Sequence, residues 1–204
     1  MPKPDIPRKT VYRLSLYQRC LQQLKTNGTS TVSSEALAKA AGVKPSQLRK
    51  DLTLFGNFGT RGLGYSVEGL SNELTGVLGT ARLQPVILIG VGNLGSALLR
   101  YGGFNKEGFE ITACFDADTT PRPHATVPLL PMEALPDYIQ THNVKMAILT
   151  VPAHAAQGVV NAIIPHGIQA ILNFAPTLID VPDGVWVNNV DLAVELENLS
   201  YFIR

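Results

Sequence analysis

Three glycines, Gly90, Gly92 and Gly95, lie between an apolar run and a second run with a helical pattern. In such a loop the first glycine permits a tight turn, the second lets a phosphate approach the backbone, and the third lets the helix pack closely on the strand. The N–H groups at the start of the helix then face the phosphates. Asp116 follows the predicted strand 109–115, roughly 20 residues beyond Gly95, the spacing expected for a carboxylate that binds a ribose diol. This pattern indicates dinucleotide binding, and the alternative is a strand–turn–helix unit without a ligand.

A dehydrogenase would need an acid or base beside the nicotinamide, and histidine is the usual source. The histidines of the chain are His124, His142, His154 and His166. Among them, only His154 lies near a predicted strand end, and no partner carboxylate is recognisable nearby. The residues after position 84 also leave little room for a separate substrate domain. We therefore predict that the chain is not an enzyme, with an NAD-dependent oxidoreductase as the alternative.

The two cysteines, Cys20 and Cys114, are far apart in the sequence and form no CxxC pair. Their spacing argues against a metal site or a disulfide framework. The sequence opens without a signal-like apolar stretch, and no apolar run approaches the roughly 18 residues of a membrane span. We therefore expect a cytoplasmic protein with no metal and no membrane partner.

Charge is divided unevenly along the chain. Residues 1–84 contain 12 Lys and Arg against 5 Asp and Glu, whereas residues 85–204 contain 5 against 11. A basic segment of this kind suits a polyanion such as DNA, because each neutralised phosphate releases counterions. The alternative is an ordinary surface of solvated lysines and arginines.

The basic segment has the pattern of a helix-turn-helix domain with a wing. Periodicity predicts helices over 7–25, 34–41, 46–55 and 67–78, and a glycine-rich hairpin over 56–65. In a helix-turn-helix domain the third of these helices enters the major groove. Its apolar face carries Leu48, Leu52 and Phe55, and Asp51 is expected among the polar residues on its other sides.

The candidate DNA contacts lie on this third helix and on the hairpin. Arg49 and Lys50 are expected to contact bases or phosphates, and Arg61 at the tip of the hairpin is expected to contact the minor groove or the backbone. The remaining candidates, at the start of the helix, are Lys44, Ser46 and Gln47. The alternative is that these are ordinary exposed polar residues.

The second half of the chain alternates strands and helices, which predicts a doubly wound parallel sheet with its ligand at the carboxyl ends of the strands. Beyond the glycine loop and Asp116, these ends include Thr150, Val151 and Pro152, which we expect near the nicotinamide, and Asn173 with Phe174. For the segment around Pro152 the alternative is simple termination of the strand by proline. The fold class is therefore α/β.

The predicted domains are a DNA-binding domain over 1–79, a linker over 80–84 and a nucleotide-binding domain over 85–187. The remaining segment, 188–204, contains a helix that is too apolar to face water and has no place in the completed sheet. Packing on a second subunit would cover it, as in a dimer that presents two helix-turn-helix units to a palindromic site.

The sequence resembles the Rex family of redox-sensing transcriptional repressors along nearly its whole length. The resemblance is carried by Arg49–Leu52, Phe55–Gly56, Gly59–Tyr65, Gly90–Gly95, Phe115–Asp116 with Asp118, Thr150–Pro152, Ile171–Pro176 and Asn189–Asp191. It implies a homodimer with N-terminal winged-helix domains, C-terminal Rossmann domains and a last helix that is exchanged between subunits. It also implies repression when the NADH/NAD+ ratio is low, and release from double-stranded operator DNA when NADH binds.

The resemblance and the strand ends together give one set of residues for NADH or NAD+. These residues are Gly90, Val91, Gly92, Asn93, Leu94, Gly95, Asp116, Asp118, Thr150, Val151, Pro152, Asn173 and Phe174. The resemblance further implies a polar switch formed by Arg19, Tyr101 and Asp191. A regulator that responds to another nucleotide, such as coenzyme A or NADPH, is the remaining alternative, although the charge of Asp116 would repel a 2′-phosphate.

Overall fold

The computed structural model describes residues 6–56, 58–60, 63–120 and 127–203. The chain divides into two units, Met1–Arg82 and Leu83–Arg204. The division lies inside the predicted linker 80–84, but Gln84 already belongs to the sheet of the second unit, because its N–H donates to the carbonyl oxygen of Gly108 at 2.9 Å.

The first unit combines four helices with a small antiparallel sheet. Its elements are α1 (Arg8–Thr26), β1 (Thr31–Val32), α2 (Ser34–Ala40), α3 (Pro45–Thr53), β2 (Gly59–Thr60), β3 (Gly64–Ser66) and α4 (Val67–Leu78). Serine side chains fix the starts of two helices: Ser33 accepts from the Ala36 N–H and Ser66 from the Gly69 N–H, both at 3.1 Å. The core between the helices contains Leu14, Tyr17, Leu21, Leu37, Leu48, Leu70 and Leu74.

The hairpin predicted over 56–65 is present as β2 and β3, and a third strand, β1, was not predicted. β1 pairs antiparallel with β3, which gives the strand order β1-β3-β2. Two residues are too few to show the alternation that indicates a strand. Arg61, the candidate at the hairpin tip, lies outside the described residues.

The second unit is a six-stranded sheet with helices on both faces. Its strands are β4 (Gln84–Ile89), β5 (Phe109–Asp116), β6 (Leu129–Pro131), β7 (Met146–Leu149), β8 (Ala170–Asn173) and β9 (Trp186–Asn189). Its α-helices are α5 (Asn93–Leu99), α6 (Gly103–Lys106), α7 (Leu135–Thr141), α8 (Ala153–Ile163) and α9 (Leu192–Tyr201), with 3-10 turns at Met132–Ala134 and Ile164–His166.

All neighbouring strands of this sheet are parallel, in the order β6-β5-β4-β7-β8-β9. This is the order of a Rossmann fold, whose ligand crevice lies where the strand order reverses, between β4 and β7. Side chains of β4 alternate between two cores: Ile87 and Ile89 pack in one, and Val86 and Leu88 pack in the other. The predicted doubly wound sheet is therefore confirmed.

The last helix, α9, buries none of its residues within the chain. Its large apolar side chains, together with those of the two residues that follow it, are between 47% and 85% exposed. They are Leu192, Val194, Leu196, Leu199, Tyr201, Phe202 and Ile203. An apolar surface of this kind on one helix is typical of a protein–protein contact.

Candidate functional site

The glycine loop between β4 and α5 needs glycine at two positions for reasons of backbone geometry. Gly90 has φ +94°, and a Cβ there would lie 2.7 Å from the carbonyl oxygen of Thr150. A Cβ at Gly95 would overlap the carbonyl oxygen of Gly90. These two glycines therefore let β4, β7 and α5 approach one another.

Gly92 has a different environment. It is the N-cap of α5, and a Cβ built there would meet nothing within 4 Å. The protein itself therefore does not require glycine here, but a phosphate approaching the loop would. Asn93 and Leu94 form the first turn of α5, whose N–H groups are suited to an anion.

Asp116, at the end of β5, holds the glycine loop by a hydrogen bond from the side of β5. Its Oδ2 accepts a hydrogen bond from the Val91 N–H at 2.5 Å, and its Oδ1 accepts from the Asp118 N–H at 2.9 Å. Asp118 in turn accepts from the backbone N–H and the hydroxyl of Thr120, at 3.0 and 2.6 Å. Because each carboxylate oxygen has two lone pairs, Asp116 can still accept from a ribose hydroxyl.

Thr150 follows β7 and contacts the same loop. Its hydroxyl donates to the Gly90 carbonyl oxygen at 2.6 Å, and its N–H donates to the Ile89 carbonyl oxygen at 2.8 Å. Val151 is half-buried against the core, and Pro152 is the N-cap of α8. Thr150 therefore joins the two strands on either side of the ligand crevice.

Asn173, at the end of β8, is 0% exposed, and its side chain forms hydrogen bonds within the protein. Its Nδ2 donates to the carbonyl oxygen of Thr177 at 2.9 Å and to Oδ1 of Asn189 at 2.8 Å, and its Oδ1 accepts from the Ala175 N–H at 2.9 Å. The Asn173 side chain therefore orders the segment after β8. Phe174 is half-buried and packs on the core that includes Leu88.

The predicted DNA contacts on α3 differ in solvent exposure and in their hydrogen bonds. Lys44 is the N-cap, and Lys44, Ser46, Arg49 and Lys50 are exposed. Arg49 lies 3.8 Å from Glu35, an exposed pair of little energetic weight. Gln47 is half-buried, and its Nε2 donates to Oδ1 of Asp51 at 2.8 Å.

Asp51 was expected among the surface residues of α3, and this expectation was wrong. Asp51 is 1% exposed and accepts four hydrogen bonds. Besides Gln47, the donors are Arg13, through Nε and Nη2 at 2.6 and 2.7 Å, and the Tyr17 hydroxyl at 2.8 Å. A weak signal existed in the sequence, because position 51 lies one turn after the buried Leu48.

The hydrogen bonds decide the charge state of this cluster. Burial raises the pKa of Asp51, but the hydrogen bonds from Arg13, Tyr17 and Gln47 outweigh burial, so the pKa lies below its ordinary value. Burial, and then the hydrogen bond to Asp51, raise the pKa of Tyr17. Asp51 is therefore a carboxylate and Tyr17 a neutral donor at neutral pH.

Of the three predicted switch residues, Arg19 lies in the first unit, and Tyr101 and Asp191 lie in the second. Arg19 is exposed on α1 of the first unit. Tyr101 is 58% exposed and packs edge-to-face on Phe104, with the ring centroids 5.1 Å apart. Asp191 caps α9 by accepting from the N–H groups of Ala193 and Val194 at 2.9 and 3.3 Å. Their joint action as a switch stays a prediction.

Among the residues that the structure describes, no three His, Cys, Asp or Glu side chains are grouped so as to hold a metal ion. No helix in the same part of the chain is long and apolar enough to cross a membrane.

Comparison with known proteins relates both units to families. Residues 5–53 match the family model described as "Putative DNA-binding protein N-terminus", and residues 82–177 match the model of the CoA binding domain. The chain is 46% identical over 198 residues to the redox-sensing transcriptional repressor Rex of Pelotomaculum thermopropionicum, covering 96% of this chain and 93% of the relative.

Solved structures extend this similarity to the whole fold. A structure of RSP in complex with NAD+ and operator DNA is similar with a TM-score of 0.91 and 36% identity, covering 98% of this chain and 94% of that one. RSP in complex with NADH is similar with a TM-score of 0.87 and 35% identity, covering 98% and 95%. These relatives are repressors, which confirms the prediction that the chain is a regulator rather than a dehydrogenase. The chain belongs to the Rex family of redox-sensing transcriptional repressors.

Proposed function

We propose that this chain represses transcription by binding double-stranded operator DNA through its first unit, and that NADH bound to the second unit releases it. The observation that carries the proposal is the glycine loop at the point where the strand order reverses. There Gly92 faces open space while Thr150 and Asp116 fix the loop on either side. That arrangement suits a pyrophosphate and its attached ribose.

The DNA-binding part of the proposal rests on α3. Lys44, Arg49 and Lys50 provide exposed positive charge along this helix, and Ser46 adds a hydroxyl near its start. In a helix-turn-helix domain the N-terminal residues of the second helix of the motif meet base edges in the major groove. Arg61 is proposed to assist from the hairpin on the basis of sequence alone.

NADH is favoured over NADPH by the carboxylate of Asp116. A 2′-phosphate, as in NADPH, would lie close to this negative charge, which opposes binding. The match to a CoA binding domain makes coenzyme A the second nucleotide to test. The proposed cofactor residues are those of the glycine loop, Asp116, Asp118, Thr150–Pro152 and the segment at Asn173 and Phe174.

A homodimer held by α9 is part of the proposal. The apolar side chains of this helix find no cover within the described chain, and a second copy that received them would bury them. A two-fold dimer would present two copies of α3 to a palindromic operator. Such a repressor would act in the cytoplasm, where the DNA and NADH are both present.

The functional step is a coupling between two binding sites. NADH must bind more tightly to the arrangement of the dimer that does not fit the operator, and the operator must prefer the other arrangement. Oxidised nicotinamide carries a positive charge that the reduced ring lacks, so an apolar ring pocket would favour NADH. Arg19, Tyr101 and Asp191 are proposed to take part in this coupling.

Calorimetry with NADH, NAD+, NADPH and coenzyme A tests the cofactor assignment. We expect binding of NADH and weaker binding of NAD+, with NADPH and coenzyme A failing to compete. Gly92→Val is the matched variant, because its added side chain enters the open space above the loop. Tight binding of coenzyme A that displaces NADH would overturn the assignment.

A further inference from the structure

One of the four hydrogen bonds that Asp51 accepts does not help to join α3 to α1. Two of its four hydrogen bonds come from Arg13 and one from Tyr17, all on α1, so three bonds tie α3 to α1. The fourth comes from Gln47, one turn earlier on α3 itself. This last bond adds nothing to the connection between the helices, but it fixes the side chain of Gln47.

The charge of Asp51 determines which end of the Gln47 amide faces it. An ionised carboxylate can only accept hydrogen bonds, so the amide must present its NH2 group to Asp51 Oδ1. The donor–acceptor distance of 2.8 Å is that of a charge-assisted bond. Arg13 and Tyr17 keep the carboxylate ionised, because both donate to it. The amide is therefore held in one of its two orientations.

The opposite end of the amide has no partner of this kind. In the described part of the chain, the side-chain oxygen of Gln47, Oε1, accepts no hydrogen bond. This oxygen is also not buried. One N–H of the same amide also remains after the bond to Asp51 is made. Gln47 is the third residue of α3, at the end of the helix that meets base edges in a helix-turn-helix complex.

We propose that Asp51 is a positioning residue for sequence recognition, and that it holds Gln47 so that its carbonyl oxygen reads the exocyclic amino group of adenine in the major groove. Adenine offers a donor at N6 and an acceptor at N7, which match the carbonyl oxygen and the remaining N–H of the amide. Guanine offers acceptors at both N7 and O6, so the side-chain oxygen of Gln47 would face another acceptor and could form no hydrogen bond there. This inference rests on the proposed function, because it requires that α3 contacts operator DNA.

The test measures base preference, which a purely structural role would not change. Full-length wild type, Gln47→Ala, Asp51→Asn and the double variant are titrated with operators that carry each single base-pair substitution, at one salt concentration. We expect one position in each half-site where wild type prefers adenine to guanine by about 5- to 150-fold and Gln47→Ala does not. Asp51→Asn should lose the preference at that position alone, and the double variant should behave like Gln47→Ala.

Tyr17→Phe is the matched control for Asp51→Asn. It removes the hydrogen bond at 2.8 Å to Oδ2 of the same carboxylate but leaves the bond from Gln47 to Oδ1 intact. We expect it to lower thermal stability and to keep the adenine preference. A loss of preference in Tyr17→Phe equal to that in Asp51→Asn would contradict positioning through Gln47.

A second measurement does not depend on whether Asp51→Asn folds. In ¹⁵N-labelled wild type, the side-chain amide of Gln47, assigned by its absence in Gln47→Ala, should show one proton protected from exchange with solvent. Equal and rapid exchange of both protons would overturn the proposal.

In the operator titration, the proposal would also be overturned by an Asp51→Asn variant that folds and weakens binding to every operator by the same factor. Failure of wild type to prefer operator over random duplex would instead refute the proposed function, and this inference with it.

Discussion

The hydroxyl of Thr150 donates a hydrogen bond of 2.6 Å to the carbonyl oxygen of Gly90, across the point where the strand order of the sheet reverses. Gly90 lies at the start of the glycine loop, and Thr150 directly follows β7, the strand on the other side of the crevice. The bond therefore fixes the loop to the neighbouring strand. Asp116 makes the corresponding bond from β5, so the loop is held from both sides.

Thr150→Val should weaken NADH binding without unfolding the protein. The valine has nearly the same shape, but it leaves the Gly90 carbonyl oxygen without its donor, and a lost hydrogen bond costs about 0.5–1.5 kcal/mol. We expect a decrease in NADH affinity of about 2- to 10-fold, measured by calorimetry. Thr150→Ser, which keeps the hydroxyl, is the control. Wild-type affinity in Thr150→Val would show that the bond does not contribute to the binding geometry.

Gly92→Val and Gly95→Ala should have opposite consequences. A side chain at Gly92 enters open space, so the variant should fold and bind operator DNA but should not be released by NADH. Even a methyl group at Gly95 overlaps the carbonyl oxygen of Gly90, so this variant should lose thermal stability. Calorimetric melting and operator binding with added NADH distinguish the two. A Gly92→Val variant that NADH still releases would refute the position assigned to the pyrophosphate.

The Asp51 cluster should make the first unit sensitive to acid. The pKa of Asp51 is lowered from its ordinary value of 3.8, so its contribution to stability is complete above about pH 4 and is lost as the pH falls through the lower folded value. Asp51→Asn should lower the free energy of unfolding by about 2–3 kcal/mol at pH 7, less than for a fully buried pair because Arg13 is partly exposed.

Urea unfolding of wild type and Asp51→Asn between pH 7 and pH 3 measures this dependence. The difference between the two proteins should shrink below about pH 4, because there the unfolded wild type binds a proton at Asp51 that the folded protein does not. Glu68→Gln is the control, since Glu68 belongs to an exposed pair with Lys25 at 3.3 Å and should contribute less than about 1 kcal/mol. A constant difference down to pH 3 would mean that the Asp51 pKa is not linked to folding in this range.

Substitution of Leu196 and Leu199 by aspartate should produce a monomer. Both side chains are exposed on α9, and charges at these positions would oppose burial against a second subunit. Light scattering after gel filtration should give twice the chain mass of 22.0 kDa for wild type and the single chain mass for the variant. Glu195→Gln, on the first turn of the same helix, should remain dimeric. A dimeric aspartate variant would place the interface elsewhere.

The glycine loop could be predicted from the sequence because its requirements are local. Gly90 needs a positive φ and Gly95 needs close packing, and both needs appear as glycines at fixed spacing after an apolar strand. The alternation of strands and helices was equally visible. The short strands β1 and β6 were missed, because two or three residues carry too little periodicity to be recognised.

The buried charge at Asp51 could not be predicted in the same way. An aspartate on an amphipathic helix is ordinarily solvated, and its burial here depends on Arg13, which lies 38 positions earlier in the sequence. The role of Asn173 depends likewise on the path of the chain, since its partners Thr177 and Asn189 approach it only once the segment between β8 and β9 has folded. Contacts of this kind are set by tertiary structure rather than by local pattern.

The central claim is that nucleotide binding and DNA binding are coupled, and titration of the bound operator complex tests it most directly. A palindromic duplex bound to wild type at fixed salt is titrated separately with NADH and with NAD+. We predict that NADH lowers operator affinity by about 5- to 150-fold, the range expected for a coupling of about 1–3 kcal/mol, and that NAD+ changes it far less. Operator affinity that neither nucleotide changes would contradict the account.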